Sequence, residues 1–194
     1  MITLHYYPGN ASLAPHILLE ELGVPFELKL VDRERKAHKS SDYLRLNPNG
    51  LIPTLVDGDL VLYESAAICL HLADGSAGQQ AGFSPALASI ERAQLYKWMA
   101  WLTNTLQATL IHYFYPERML DTDNVDGAIQ FRQHAQARAG ELLGQLDAQL
   151  ASHGKAWLLG EAYSIADIYT LMLCRWTRGF TGNAAKPARE WEHL

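Results

Sequence analysis

The sequence predicts a two-part chain, a small mixed α/β domain followed by an all-helical one. Three observations predict it. Hydrophobic periodicity changes near residue 80, from short runs rich in β-branched and aromatic residues to long repeats at helical spacing. The short runs fall in a β-α-β order and close with a hairpin turn at Asp57-Gly58. A stretch rich in Gly, Ala, Ser and Gln, residues 75–85, separates the halves.

In chain order, ITLHYY reads as the first strand and PFELKLV as the second, each short and bounded by turn residues. Between them SLAPHILLEELG reads as a helix, with Ile17, Leu18 and Leu22 on one face and Gly23 where a C-terminal cap belongs. A basic stretch of weak periodicity follows, and it leaves a second helix open. IPTLV and LVLY are the next two strands, joined by the Asp57-Gly58 turn, and a helix runs from about Glu64 to Ala73. The first β-α-β unit implies a parallel pair with a right-handed crossover, and the hairpin adds an antiparallel pair. The expected domains are therefore residues 1–76, a linker at 77–84, and residues 85–194.

The second half reads as three helices. The first runs from about Pro85 to Tyr115, with Leu95, Trp98, Met99, Leu102 and Leu106 at helical spacing, and Pro116 ends or kinks it. The second, from about Asp126 to His153, turns Ile129, Leu142, Leu143, Leu146 and Leu150 inward. The third starts at Ser164, with Asp167 three residues on as a capping box, and IADIYTLMLCRW is apolar nearly all round. Such a helix is expected at the centre of a bundle.

Composition narrows the function classes. The 194 residues carry 16 Lys and Arg against 21 Asp and Glu, a net charge of -5, which argues against a general nucleic-acid binder. The two cysteines, Cys69 and Cys174, lie far apart in apolar helical segments, so neither a disulfide framework nor a CxxC site is expected. The start, MITLHYYPGN, lacks a basic region followed by an apolar one, and no apolar run approaches the roughly 18 residues that span a bilayer. A cytoplasmic protein with no membrane partner is the expectation. Eight histidines include no HExxH or comparable pair at ligand spacing, and no metal is expected.

Three stretches can carry chemistry, and each has two readings. In Asn49-Gly50-Leu51-Ile52-Pro53-Thr54-Leu55 the proline is either an ordinary turn before a strand or a cis bend that turns the Ile52 backbone outward toward a peptide-like ligand. In Tyr63-Glu64-Ser65 the polar pair either caps the helix or binds: free N–H groups and the Ser65 hydroxyl would hold a carboxylate while Glu64 accepts from an amine. In Tyr7-Pro8-Gly9-Asn10-Ala11-Ser12, Ser12 either caps the first helix or donates to a thiolate and lowers its pKa.

Taken together and in this order, YYPGNASLAPH, NPNGLIPTL, the hairpin, YESAAICLHLA and a helical half resemble the glutathione transferase family over the whole chain. YYPGNASLAPH and the long helix look most like its bacterial, beta-type branch. The resemblance implies an α/β thioredoxin-like N-terminal domain plus an all-α helical-bundle C-terminal domain, with glutathione as co-substrate on the first and an open hydrophobic site between the two. It implies Leu51, Ile52 and Pro53 as the glutathione-binding bend, with the Ile52 backbone paired to the cysteinyl backbone of the tripeptide. Glu64 and Ser65 would hold its γ-glutamyl end. Lys36, within the basic run Arg33 to Lys39, matches a position that meets the glycyl carboxylate or is a solvated surface charge. Ser164 and Asp167 match a structural cap, and a homodimer is implied.

The departures bear on mechanism. In the beta-type branch a cysteine usually stands at the position matched by Ala11, so a mixed disulfide with this chain is not expected. Its bundle-helix His matches Gln107, and a nearby Asn matches Ala100. The activating contact to the thiol falls to Ser12, with Asn10 second. Tyr6 and Tyr7 lie close by, and strand alternation would send one of them into the core. His112, Tyr113, Tyr115 and Arg118 either line the acceptor pocket or serve a surface. The expected activity is conjugation of the glutathione thiolate to a small hydrophobic electrophile. The alternatives are glutathione-dependent disulfide or peroxide reduction, and a non-catalytic binding protein of the same fold. Relatives continue past the region matched by Thr177 to Leu194, so the chain is expected to end early or to lack a capping helix.

Overall fold

Residues with β-branched or aromatic side chains form four strands: β1 (Ile2–Tyr6), β2 (Phe26–Leu30), β3 (Thr54–Asp57) and β4 (Leu60–Tyr63). They make one sheet in the order β2-β1-β3-β4, with β1 and β2 parallel and the other two pairs antiparallel. This is a computed structural model, and it describes residues 1–121, 123–181 and 185–194. The chain divides into two compact units, Met1–Pro85 and Ala86–Leu194.

In the first unit both faces of the sheet are covered. Leu4 and Leu55 are cross-strand partners, and so are their neighbours His5 and Thr54; all four are buried. Side chains alternate across a strand, so two consecutive buried positions mean two covered faces. Helices α1 (Leu13–Leu22) and α3 (Ser65–Asp74) pack on each other and bury Leu18, Leu19, Ile68 and Leu72. Gly23 ends α1 in the left-handed conformation at φ 61°, as its cap position requires. The basic stretch resolves into a 3₁₀ turn, Ala37–Lys39, and a short helix α2 (Ser41–Leu46), whose start is capped by Ser40 accepting the Tyr43 N–H. Tyr43 of α2 covers the His5 and Thr54 face, its ring 5.8 Å from that of His5.

The stretch expected as a linker is folded. Helix α4 (Ser76–Ala81) lies there, Gly78 and Phe83 are buried, and the Ser84 hydroxyl donates to the Asp74 carboxylate at 3.0 Å. The small residues that suggested a tether instead allow close approach: a Cβ on Gly78 would stand 2.4 Å from the Ala73 carbonyl oxygen.

In the second unit α5 (Ile90–Trp101) begins at Ser89, whose hydroxyl oxygen accepts the Arg92 N–H, so residues 85–89 lie outside the helix expected from Pro85. It runs on through a π-helical segment, Leu102–Gln107, into α6 (Ala108–Phe114). Pro116 opens a 3₁₀ turn. Helix α7 (Val125–His153) starts on the Asn124 cap and ends at left-handed Gly154. It turns Ala135, Ala139, Leu142, Leu143 and Leu146 inward, whereas Ile129, expected in the core, is 54% exposed. Helix α8 (Ile165–Trp176) has its capping box and buries six side chains from Ile165 to Leu173, but Leu171 stays exposed. Helix α6 runs against α7, and α5 and the π segment run against α8. Among the described residues no helix is long and apolar enough to cross a membrane.

Candidate functional site

Strand register brings the three chemistry-bearing loops to one edge of the sheet. Thr54 opens β3 opposite His5, near the end of β1, and opposite Tyr63, the end of β4. The segments 7–12, 51–53 and 64–65 therefore leave from the same side of three adjacent strands. Neighbouring strands are about 4.8 Å apart, so the outer two loops are separated by roughly 10 Å. That is about the reach of three extended residues.

The first loop is tied by its own side chains. The Ser12 hydroxyl donates to the Tyr7 carbonyl at 3.0 Å and accepts the Tyr7 N–H at 3.3 Å, and Ser12 is 2% exposed. It makes no side-chain cap to α1. The Asn10 side-chain oxygen accepts the Ser12 N–H at 2.8 Å. That leaves the Asn10 amide nitrogen, half-buried, with no acceptor among the described residues. Tyr6 and Tyr7 are both half-buried, contrary to the alternation argument: Tyr6 tilts against His16, and the Arg33 guanidinium lies 5.6 Å from the Tyr7 ring. Tyr7 lies past the end of β1, where the period of two no longer holds.

At the second loop the Ile52-Pro53 bond is cis. Leu51 is exposed, and the Leu51 carbonyl accepts from the Tyr43 hydroxyl at 2.6 Å and from the Asn47 amide at 2.9 Å. The Ile52 N–H and C=O take no partner among the described residues. At the third, Glu64 stands at φ 74° and ψ 114°, a left-handed φ that a non-glycine residue adopts only at a cost of about 1–3 kcal/mol. It makes no side-chain cap to α3, so the pair is not an ordinary N-cap; Ser65 is buried at the helix start. The free N–H groups of a ten-residue helix open there.

The basic run reaches the second loop through a residue the sequence did not single out. Lys36 is exposed and left-handed at φ 54°. The Lys39 ammonium instead donates to the Asn49 carbonyl at 3.3 Å, and a Cβ on Gly50 would come within 2.7 Å of it. His38 beside it is held below its ordinary pKa, first by burial and then by the positive charges of Lys39 and Arg33. This flank favours an anion. Tyr43 and Asn47 were missed as well, because a six-residue helix shows no usable periodicity.

Elsewhere the candidates serve the second unit. Gln107 accepts from the Tyr169 hydroxyl at 2.5 Å, pinning the π segment to α8. His112 tilts on Phe131, Tyr113 packs on Phe180, and the Arg118 guanidinium lies 3.9 Å from the Tyr115 ring. Burial pushes the Cys174 thiol up to about 12 and the Cys69 thiol higher still, so neither supplies a thiolate near neutral pH. Ser164 and Asp167 form the expected cap: the carboxylate accepts the Leu158 N–H at 2.7 Å, the Ser164 N–H at 2.8 Å and the Ser164 hydroxyl at 2.9 Å. Among the described residues no group of three or more His, Cys, Asp or Glu is placed to hold a metal ion.

Comparison with known proteins gives this geometry a family. Residues 1–74 match the glutathione S-transferase N-terminal domain, and residues 104–194 match the C-terminal domain. Glutathione S-transferase GST-4.5 of Xanthomonas campestris is 36% identical over 175 residues, covering 89% of this chain and 81% of that protein. Among solved structures, a glutathione transferase homologue from Sulfitobacter with bound glutathione has a TM-score of 0.84 at 24% identity, covering 98% of this chain and 87% of that one. A sphingomonad glutathione S-transferase complexed with glutathione has a TM-score of 0.78 at 29% identity, covering 97% and 87%. The first unit is thus a thioredoxin-like domain and the second its helical companion, and the chain is a transferase that belongs to the glutathione S-transferase family.

Proposed function

We propose that this chain binds glutathione along the sheet edge of its first unit and conjugates the tripeptide's thiolate to a small hydrophobic electrophile. The observation that carries the reading is the set of groups left open there. Neighbouring polar atoms are paired, while the Asn10 amide nitrogen, the Ile52 backbone and the first N–H groups of α3 take no partner among the described residues. They lie in a row of roughly 10 Å, room for the γ-glutamyl and cysteinyl parts of the tripeptide.

In this reading the γ-glutamyl carboxylate takes Ser65 and the α3 N-terminus, its ammonium takes Glu64, and the cysteinyl backbone pairs with Ile52 in the bend Leu51-Ile52-Pro53. The glycyl carboxylate meets Lys39, with Lys36 farther out. The thiol falls at the first loop. The Ser12 proton is already donated to Tyr7, so Asn10 is the group with hydrogens to offer, and Ser12 holds the loop that presents it. A hydrogen bond or positive end directed at sulfur favours the thiolate, and each unit of lowered pKa corresponds to about 1.4 kcal/mol. Holding the thiolate and the electrophile in one cleft supplies the rest of the acceleration. No cysteine of the chain takes part in this reading: Cys69 is buried, Cys174 is half-buried, and desolvation raises the pKa of both thiols.

Residues 1–76 are proposed as the glutathione-binding domain and 85–194 as the helical domain, in a cytoplasmic homodimer. The exposed Leu60 and Val61 of edge strand β4 support a self-association surface on the first unit, which gel filtration tests. Calorimetric titration with glutathione tests the core of the proposal. Turnover of a model aryl halide separates conjugation from reduction of a small mixed disulfide, and tight binding with neither activity would point to a binding protein.

A further inference from the structure

We infer that Tyr43 is a positioning residue for glutathione, acting through the peptide unit between Leu51 and Ile52. This rests on the reading of the sheet edge as a glutathione site. The Leu51 carbonyl and the Ile52 N–H belong to one planar amide, and because that bond is trans they point in opposite directions. The carbonyl accepts two hydrogen bonds from one side, from the Tyr43 hydroxyl at 2.6 Å and the Asn47 amide at 2.9 Å. Both of its lone pairs are used, so the plane cannot rotate without breaking one of them. The Ile52 N–H is thereby aimed away from α2, toward the open side where the cysteinyl carbonyl of the tripeptide would accept it.

Tyr43 is itself fixed. It is 5% exposed, its ring tilts against His5, and its hydroxyl also meets the Thr54 hydroxyl at 3.0 Å. Asn47, 2% exposed, is held by accepting the Asn49 N–H at 3.1 Å. The anchor is thus tied to β3 on one side and to the loop on the other. A phenylalanine at position 43 would keep the ring contact and lose the hydroxyl's bonds to the Leu51 carbonyl and the Thr54 hydroxyl.

The test uses two thiols on the full chain, glutathione and γ-glutamylcysteamine, which lacks the cysteinyl carbonyl and the glycine. The readout is the ratio of their kcat/KM values with a common aryl halide. Tyr43→Phe is expected to lower the preference for glutathione about three- to tenfold, the size of one lost hydrogen bond, through a raised KM for glutathione. Asn47→Asp, which removes the other donor and keeps the acceptor for Asn49, is expected to lower the same ratio. General damage to the fold would lower both thiols alike and leave the ratio unchanged. An unchanged ratio in both folded variants overturns the role of Tyr43. Failure of the wild-type chain to bind glutathione by calorimetry overturns the site itself, and the two failures are told apart by that one titration.

Discussion

Ser12 and Tyr7 close the loop at the end of β1 with two hydrogen bonds, the Ser12 hydroxyl donating to the Tyr7 carbonyl and accepting its N–H. In the proposed reading the Ser12 hydroxyl stays on the backbone, and the amide hydrogens of Asn10, which have no acceptor among the described residues, are the ones offered to the thiol. Asn10→Ala should lower kcat/KM for glutathione about tenfold, equivalent to one pKa unit of the bound thiol or about 1.4 kcal/mol. Ser12→Ala should chiefly cost stability, about 1–3 kcal/mol, because two part-buried backbone groups lose their partner. Titrating the thiolate absorbance of bound glutathione in both variants decides the assignment; a larger pKa rise in Ser12→Ala would return the role to Ser12.

Gly78 tests how firmly α4 is packed on the rest of the first unit. A side chain there would meet the Ala73 and Leu72 carbonyl oxygens at 2.4 and 2.5 Å, both backbone atoms that cannot swing aside. Gly78→Ala should destabilise the chain by more than about 2 kcal/mol, in the range of overpacked sites. Urea unfolding reads this, and a neutral outcome would mean that α4 shifts to admit a side chain at no cost.

His5 sets a pH dependence. Burial first, and then the positive charge of Lys29, hold its pKa below the ordinary 6.5, against a smaller opposing pull from Glu27. Between the folded value and 6.5 the unfolded chain binds more protons than the folded one, so stability falls as pH drops through that window. Unfolding free energy measured from pH 8 down to pH 5 should decline on the acid side. His5→Gln should flatten that decline, and an identical slope in the variant would remove His5 as its source.

Asp167 secures α8. Its carboxylate accepts three hydrogen bonds from residues 158 and 164, and burial nonetheless holds its pKa above the ordinary carboxylate value. Asp167→Ala should cost about 2–3 kcal/mol, the loss of a cap plus stranded buried donors. Amide exchange along Ile165–Trp176 should accelerate in the variant, since the helix start would fray.

Much of the first unit was legible because its signals are local. Short runs of β-branched and aromatic residues marked the strands, Asp57-Gly58 marked the hairpin, Gly23 marked a helix end, and Ser164 with Asp167 marked a helix start; each depends on residues within a few positions of one another. The spacing of Asn10 and Ser12, Ile52-Pro53 and Glu64-Ser65 was also legible, and with it the family.

What each group does was decided in three dimensions. Two readings stood open at Ser12 and at Glu64-Ser65, and capping was the simpler; the structure shows a side-chain cap at neither. Tyr43 reaches Leu51 across eight residues, and Lys39 reaches Asn49 across ten. The stretch around Gly78 read as a linker because small residues serve linkers and close packing alike. By itself, then, the sequence determined the elements, their order and the chemistry on offer, since those follow from local periodicity and spacing. Only the tertiary structure decided which polar groups are consumed by the backbone and which stay open, because a hydrogen bond already made inside the fold is a donor no longer available to a ligand.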